Sequence, residues 1–227
     1  MNSLIILAAG CGNRANQKIP KQFINLEDTN ASRLLYNQYA YQNKYFDEII
    51  IVTHKDWYMK IKSEVRKNIK IVIGGKTRTQ SSYLGLKSCS PKCKNVIIHD
   101  AARPFASKNL FESCIKNLDK FDSVVPIIDQ QNSVIEKRSE TVKYLDRNKL
   151  KIIQTPQAFN YTTIRKAYDN IRMNKTDDLQ VLLEYQPNAK IKYVKGALKN
   201  FKITTEYDIR ILQKLYSDKD LWKMFCE

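Results

Sequence analysis

The stretch LAAGCGNRANQKIPKQF, residues 7–23, puts Gly10 and Gly12 directly after an apolar run and follows them with Arg14 and Lys21. Glycines let backbone N–H groups approach phosphate oxygens closely, and two framing cations supply compensating charge. The spacing of Gly10, Gly12 and Ala15 also suits a dinucleotide fold, but that requires a helix directly after the turn and an acid about 20 positions on, closing the second strand. Pro20 would fall inside such a helix at a cost of roughly 3 kcal/mol. Glu27 and Asp28 lie at about the right distance but precede a helix-like segment rather than end a strand. A long loop wrapped around a nucleoside triphosphate accounts better for these residues, with Ala8 and Ala9 leading into it.

Two further stretches have the same placement after a β-like run. In GGKTRTQSSYLGL, residues 74–86, Gly74 and Gly75 end a strand and hydroxyl residues open a helix, a pattern suited either to reading a base or ribose edge or to ordinary capping. In HDAARP, residues 99–104, Asp100 sits at a strand end, where a carboxylate is the expected ligand for a phosphate-bound Mg²⁺. His99 is read as structural, and Arg103 with Pro104 as shaping the turn.

These loops need a frame. The runs SLIILAA, EIIIVTH, KIVIG, NVIIHD and DSVVPII alternate with helix-length segments at 31–44, 55–67, 77–88 and 107–119. Alternation of this kind predicts βαβ units, and continuous apolar runs suit strands covered on both faces, so a Rossmann-like, mostly parallel, doubly wound α/β sheet is expected. Ligands of such sheets bind beyond the carboxyl ends of the strands, where all three loops would meet. Segment 129–150 is polar with β-forming patches and reads as a projecting β-arm able to reach a partner subunit. IIQTPQAF, helical stretches at 161–185, a strand at 189–195 and a helical region from 205 complete one domain spanning 1–227.

Composition narrows the function classes. Apolar residues make up 43% of the 227, with no run near the roughly 18 residues of a membrane span, and the N-terminus lacks the layout of a signal peptide, so a cytoplasmic protein is expected. Five scattered cysteines argue for free thiols, and two histidines leave little for a zinc site. A net charge of +16 favours anionic ligands, but the lysines are dispersed and no basic stripe with interleaved aromatics stands out. Phosphorylated metabolites are therefore the expected partners, rather than nucleic acid or membrane.

Six motifs in register, LAAGCGNR...IPKQF, GGKTRTQSSYLGL, HDAARP, LDRNKLKIIQTPQAF, TDDLQVLLE and NFKITTEYDI, resemble the cytidylyltransferases that make 4-diphosphocytidyl-2-C-methyl-D-erythritol from CTP and methylerythritol phosphate. The resemblance spans nearly the whole chain and implies a nucleotidyltransferase fold, Mg²⁺ as cofactor and a homodimer joined through the arm. It implies a triphosphate loop at Ala8, Ala9, Gly10 and Gly12, with Arg14, Lys21 and Lys202 as catalytic cations. Gly74, Gly75 and Ser81 match cytidine-recognising positions, and Asp100 with Ala101 the ribose and metal end. Arg147, reaching across from the other subunit, and Thr155 match positions that hold the acceptor phosphate. Where the family usually has Asp-Thr followed closely by Lys, this chain reads Asp129-Gln130-Gln131-Asn132, so an amide stands where a hydroxyl is expected near the acceptor. Ribitol 5-phosphate, the substrate of related enzymes, or another polyol phosphate is the alternative acceptor, and a basic RNA-binding module is the alternative of another class.

Overall fold

The computed structural model describes residues 1–10, 24–26, 29–30, 45–65, 69–171 and 174–226. Gly12, Arg14, Lys21 and the helix expected at 31–44 lie outside the described residues.

The apolar runs become strands β1 (Asn2–Ala8), β4 (Glu48–Thr53), β5 (Lys70–Ile73), β6 (Asn95–Asp100) and β7 (Ser123–Asp129), with β2 (Asn25–Leu26) and β3 (Thr29–Asn30) forming a short separate ladder. Between them stand α1 (Tyr58–Glu64), α2 (Arg78–Lys87) and α3 (Lys108–Lys116). The remainder comprises β8 (Val134–Arg138), β9 (Thr141–Leu145), β10 (Lys151–Ile153), β11 (Gln157–Asn160), α4 (Tyr161–Asn170), α5 (Asp178–Tyr185), β12 (Ile191–Lys195), α6 (Glu206–Ser217) and α7 (Lys219–Cys226). The main sheet runs β10-β7-β11-β6-β1-β4-β5, with β12 on β7. The β1, β4, β5 and β6 ladders are parallel, as is β12 on β7.

Period-two alternation divides the strand side chains between the two faces. Leu4, Ile6, Ile49, Ile51 and Ile97 pack with Ile61 of α1 and Phe111 and Cys114 of α3. Ile5, Ile50, Val52, Val96 and Ile98 pack with Leu86 of α2, Ile164 of α4 and Leu182 of α5. Both faces are covered, which is why these strands read as continuous apolar runs. A third cluster joins Phe105 and Ile203 to Ile209 and Leu212 of α6, and so anchors the chain just past Lys202. No helix among the described residues is long and apolar enough to cross a membrane.

The run IIQTPQAF does not form one strand. It is split into β10, antiparallel to the end of β7, and β11, inserted antiparallel between β6 and β7, with a cis Thr155–Pro156 bond between them. The arm is a hairpin, β8 against β9, whose two-residue turn puts Ser139 at a φ of 36°, in the left-handed region that such turns favour.

Candidate active site

The carboxyl ends of β1, β4, β5 and β6 surround a cleft of about 1030 Å³. Its floor is backbone: Ala8, Ala9 and Gly10 after β1, Gly74 and Gly75 after β5, and Ala101 after β6. A side chain at Gly74 would collide with Ala9 Cβ at 2.5 Å and Ser81 Oγ at 2.9 Å, so the second loop can approach the first only without one. A Cβ at Gly10, by contrast, would meet nothing within 4 Å among the described residues. Ser81 is buried and spends its hydroxyl locally, accepting from Gly75 N–H at 3.2 Å and donating to the Thr77 carbonyl at 2.9 Å. Gln80 Oε1 accepts from Lys76 N–H at 2.8 Å, and Thr77 caps α2 through Gln80 N–H. The loop's shape is thus set by side chains of the helix that follows it.

A second cavity of about 330 Å³ is lined by Arg103, Lys151, Thr155 and Asp177, together with Arg78, Asp100 and Lys202. The last three line both cavities. Asp100 Oδ1 accepts from Arg78 at 3.2 Å, and Oδ2 from Lys202 Nζ at 2.6 Å. Arg78 also donates to Asp178 Oδ2 at 2.6 Å, and the Tyr168 hydroxyl donates to the other oxygen of that carboxylate. Burial alone would raise the Asp100 pKa, but the charges of Arg78 and Lys202 outweigh it and hold the carboxyl well below its usual range. Arg78 shows the mirror image: burial opposes its charge, and Asp178 and Asp100 overturn that and raise its pKa. A charged cluster therefore persists at the junction of the cavities.

Behind it lies a chain of hydrogen bonds. Asp100 N–H donates to Thr155 Oγ1 at 3.1 Å, Thr155 Oγ1 stands 3.1 Å from His99 Nδ1, and His99 Nε2 stands 3.1 Å from the Arg103 carbonyl. A carbonyl only accepts, so Nε2 carries the proton and Nδ1 accepts from the threonine. Asn200 donates to the Thr155 carbonyl at 2.9 Å, and Arg103 donates to the Asn200 carbonyl at 2.8 Å. Gln154 brackets the same segment, donating to the Ala197 carbonyl and accepting from its N–H. Together these bonds fix the turn after Asp100 relative to the segment carrying Lys202.

Burial lowers the His99 pKa to about 4. Unfolded, the imidazole takes a proton below about pH 6.5; folded, it stays neutral until about pH 4, so the unfolded chain binds more protons in that interval and stability falls as pH falls. The full interval is worth about 3 kcal/mol. Urea unfolding between pH 7 and 5 should show the early part of this loss in the wild type and not in His99→Gln. An equal slope in both would remove His99 as its source.

Of the residues singled out by sequence, Ala8, Ala9, Gly10, Gly74, Gly75, Ser81, Asp100, Ala101 and Lys202 line the large cleft, and Thr155 the small one. Gln130 and Arg147 line neither. Gln130 accepts from Asn132 N–H at 3.2 Å, and exposed Arg147 donates to the Gln131 carbonyl at 2.9 Å, both at the arm side of their own chain. Arg78, Asp178 and Lys151 went unremarked in the sequence although all three lie inside the quoted motifs. Arg103, read as a turn residue, holds the Asn200 carbonyl and also lines the small cavity. Motif membership was the available signal for all three.

A sequence profile of the 2-C-methyl-D-erythritol 4-phosphate cytidylyltransferase (IspD) family matches residues 3–216. The chain belongs to this family. A 2-C-methyl-D-erythritol 4-phosphate cytidylyltransferase of Clostridium botulinum (strain Loch Maree) is 34% identical over 229 residues, covering 94% of this chain and 98% of that protein. The bifunctional enzyme IspD/IspF of Pelagibacter ubique is 40% identical over 212 residues, covering 92% of this chain, which spans only 56% of that longer protein. Among solved structures, the 4-diphosphocytidyl-2C-methyl-D-erythritol synthase of Anaerococcus prevotii superposes with a TM-score of 0.83 at 31% identity, covering 96% of this chain and 98% of that one. The nucleotidyltransferase fold of the cytidylyltransferases is thus also the fold of this sheet.

Proposed function

We propose that this cytidylyltransferase family member joins CTP and 2-C-methyl-D-erythritol 4-phosphate to give 4-diphosphocytidyl-2-C-methyl-D-erythritol and pyrophosphate. The observation that carries the reading is that a large cleft and a small cavity share Arg78, Asp100 and Lys202. The large cleft suits a nucleoside triphosphate, the small one a short polyol phosphate, and the shared wall is where their phosphates would meet. Four cations, Arg78, Arg103, Lys151 and Lys202, face the small cavity against the carboxyls of Asp100 and Asp177. Burial, reinforced by Asp178, raises the Asp177 pKa.

The nucleophile is an oxygen of the acceptor phosphate, already anionic near neutral pH, so no side-chain base is required. It forms a bond to the α-phosphorus of CTP as the bond from that phosphorus to the β-bridging oxygen breaks, and the electron pair leaves with pyrophosphate. Catalysis is then alignment plus charge stabilisation. Ala9 and Gly10 line the cleft on the triphosphate side in this reading, Gly74 and Gly75 on the side of the base, and Lys202 and Arg78 at the reacting phosphates. The family motif assigns Arg14 and Lys21, which lie outside the described residues, to the triphosphate.

Asp100 is the carboxylate on the shared wall, and no group of three or more His, Cys, Asp or Glu able to hold a metal occurs among the described residues. That donor set fits Mg²⁺, which takes one or two protein carboxylates and completes its shell with phosphate and water oxygens. When bound, it would neutralise charge on the triphosphate. Asp100 would hold it, with Arg78 and Lys202 turning from the carboxylate toward the phosphates.

Homodimerisation through the arm belongs to the same reading. Ile135 and Tyr144 are directly opposite across the hairpin, and Val142 lies on the same face; these side chains are 48%, 77% and 55% exposed. An apolar face of this kind on a two-stranded ribbon needs a cover, and a partner copy would bring Arg147 and Gln130 to the other subunit's acceptor cavity. Sedimentation should give a dimer for the wild type and a monomer for Tyr144→Asp; a monomeric wild type would refute the arrangement.

The decisive experiment supplies purified protein with CTP, Mg²⁺ and either methylerythritol phosphate or ribitol 5-phosphate and follows pyrophosphate release. Turnover with the first is expected. Turnover with the second alone would reassign the acceptor, and none with either would overturn the reaction.

A further inference from the structure

Arg78, Asp100 and Lys202 border both cavities, so none of them can recognise the acceptor independently of the nucleotide. Arg103 and Lys151 are the cations that line the small cavity and not the large one. The two are held differently. Arg103 is tied to the Asn200 carbonyl at 2.8 Å. Lys151 opens β10 opposite Asp129, the last residue of β7, and its Nζ lies 2.6 Å from Asp129 Oδ1.

That ion pair is open to water, with the Lys151 and Asp129 side chains 41% and 82% exposed. Pairs at such exposure contribute little, and a lysine on a flexible four-carbon stem can leave one at small cost. A phosphate dianion in the adjoining cavity offers a stronger, doubly charged partner already framed by other cations. The strand register fixes the base of the stem at the cavity rim, so only the ammonium group has to move.

We infer that Lys151 is an acceptor-binding residue, paired with Asp129 before the acceptor binds and transferred to a phosphate oxygen of the acceptor when it enters the small cavity. The inference rests on the proposed reaction and assigns one further residue to it. Asp129 acts through Lys151 as a positioning residue, competing with the acceptor for the ammonium group.

Steady-state kinetics on the full chain with Mg²⁺ tests this by varying each substrate separately. Lys151→Met should raise the KM for methylerythritol phosphate roughly 10- to 100-fold, the scale of losing one charged hydrogen bond, with the KM for CTP within about twofold by the same separation of cavities. Lys151→Arg should recover much of that loss. Asp129→Asn, by releasing the lysine, should lower the acceptor KM, whereas a merely structural strap would leave it unchanged or raise it. Inorganic phosphate, used as a competitive probe of the acceptor, should inhibit Lys151→Met more weakly than wild type. An acceptor KM for Lys151→Met within twofold of wild type, or parallel rises in both KM values, would overturn the inference while leaving the reaction standing. A wild type that releases no pyrophosphate from CTP and methylerythritol phosphate would instead refute the reaction itself. Should Lys151→Met not fold, the Asp129→Asn and Lys151→Arg results decide the matter.

Discussion

Replacing Lys202 by Met is expected to lower kcat by about 10²- to 10³-fold, the range seen when a single charge-stabilising donor is removed from a reacting centre, with the fold retained. Lys202 Nζ is 2.6 Å from Asp100 Oδ2 on the wall common to both cavities, so it can follow charge as it moves from the α-phosphoryl oxygens to the leaving pyrophosphate. The fold survives because Asp100 keeps its bond to Arg78, and the segment stays anchored by Ile203 N–H donating to the Ala102 carbonyl at 2.8 Å and by burial of the Ile203 side chain. Single-turnover pyrophosphate release and a thermal melt on the same sample check both halves. A kcat within threefold of wild type would remove Lys202 from the transition state.

Asp178→Ala should damage stability first. The Asp178 side chain is fully buried and its two oxygens hold Arg78 and the Tyr168 hydroxyl. Removing it leaves a largely buried guanidinium short of one carboxylate and a phenol short of its acceptor, a loss of about 3–5 kcal/mol. For a chain of this size that is a fall in Tm on the order of 10 °C. Arg78→Met combined with Asp178→Leu removes both charges and fills the space, and should restore much of the Tm because Asp100 still has Lys202. It should not restore turnover, since Arg78 lines both cavities. Calorimetry beside a pyrophosphate assay separates the outcomes: recovered activity in the double variant would show Arg78 to be purely structural.

Parts of this protein are legible residue by residue. Runs such as SLIILAA and NVIIHD determine strands because each supplies enough β-branched, apolar side chains to cover both faces of a sheet from local sequence alone. A parallel strand that ends in glycine or in a small polar turn must deliver that turn to one edge, so Gly10, Gly74 and Asp100 could be assigned to a common crevice before any coordinates. The arm was legible too, as a polar interruption of the alternation.

What the sequence alone left undecided depends on pairings that no local pattern encodes. Arg78 meets Asp178 across 100 residues, and Lys202 meets Asp100 across 102. Which cation finds which carboxylate follows from sheet order and helix docking, set by the sum of many apolar contacts rather than by the charged residues themselves. The split of IIQTPQAF into two antiparallel strands is likewise tertiary: β11 occupies the gap between β6 and β7, and β10 is carried to the end of β7. That placement faces Lys151 toward Asp129 and the small cavity, a role that its place in the LDRNKLKIIQTPQAF motif does not announce by itself. Sequence thus determined the scaffold and the kinds of charge at its edge, because these follow from local burial and turn chemistry. Tertiary structure decided the ion-pair partners and the existence of a second cavity, because both depend on distances between segments far apart in the chain.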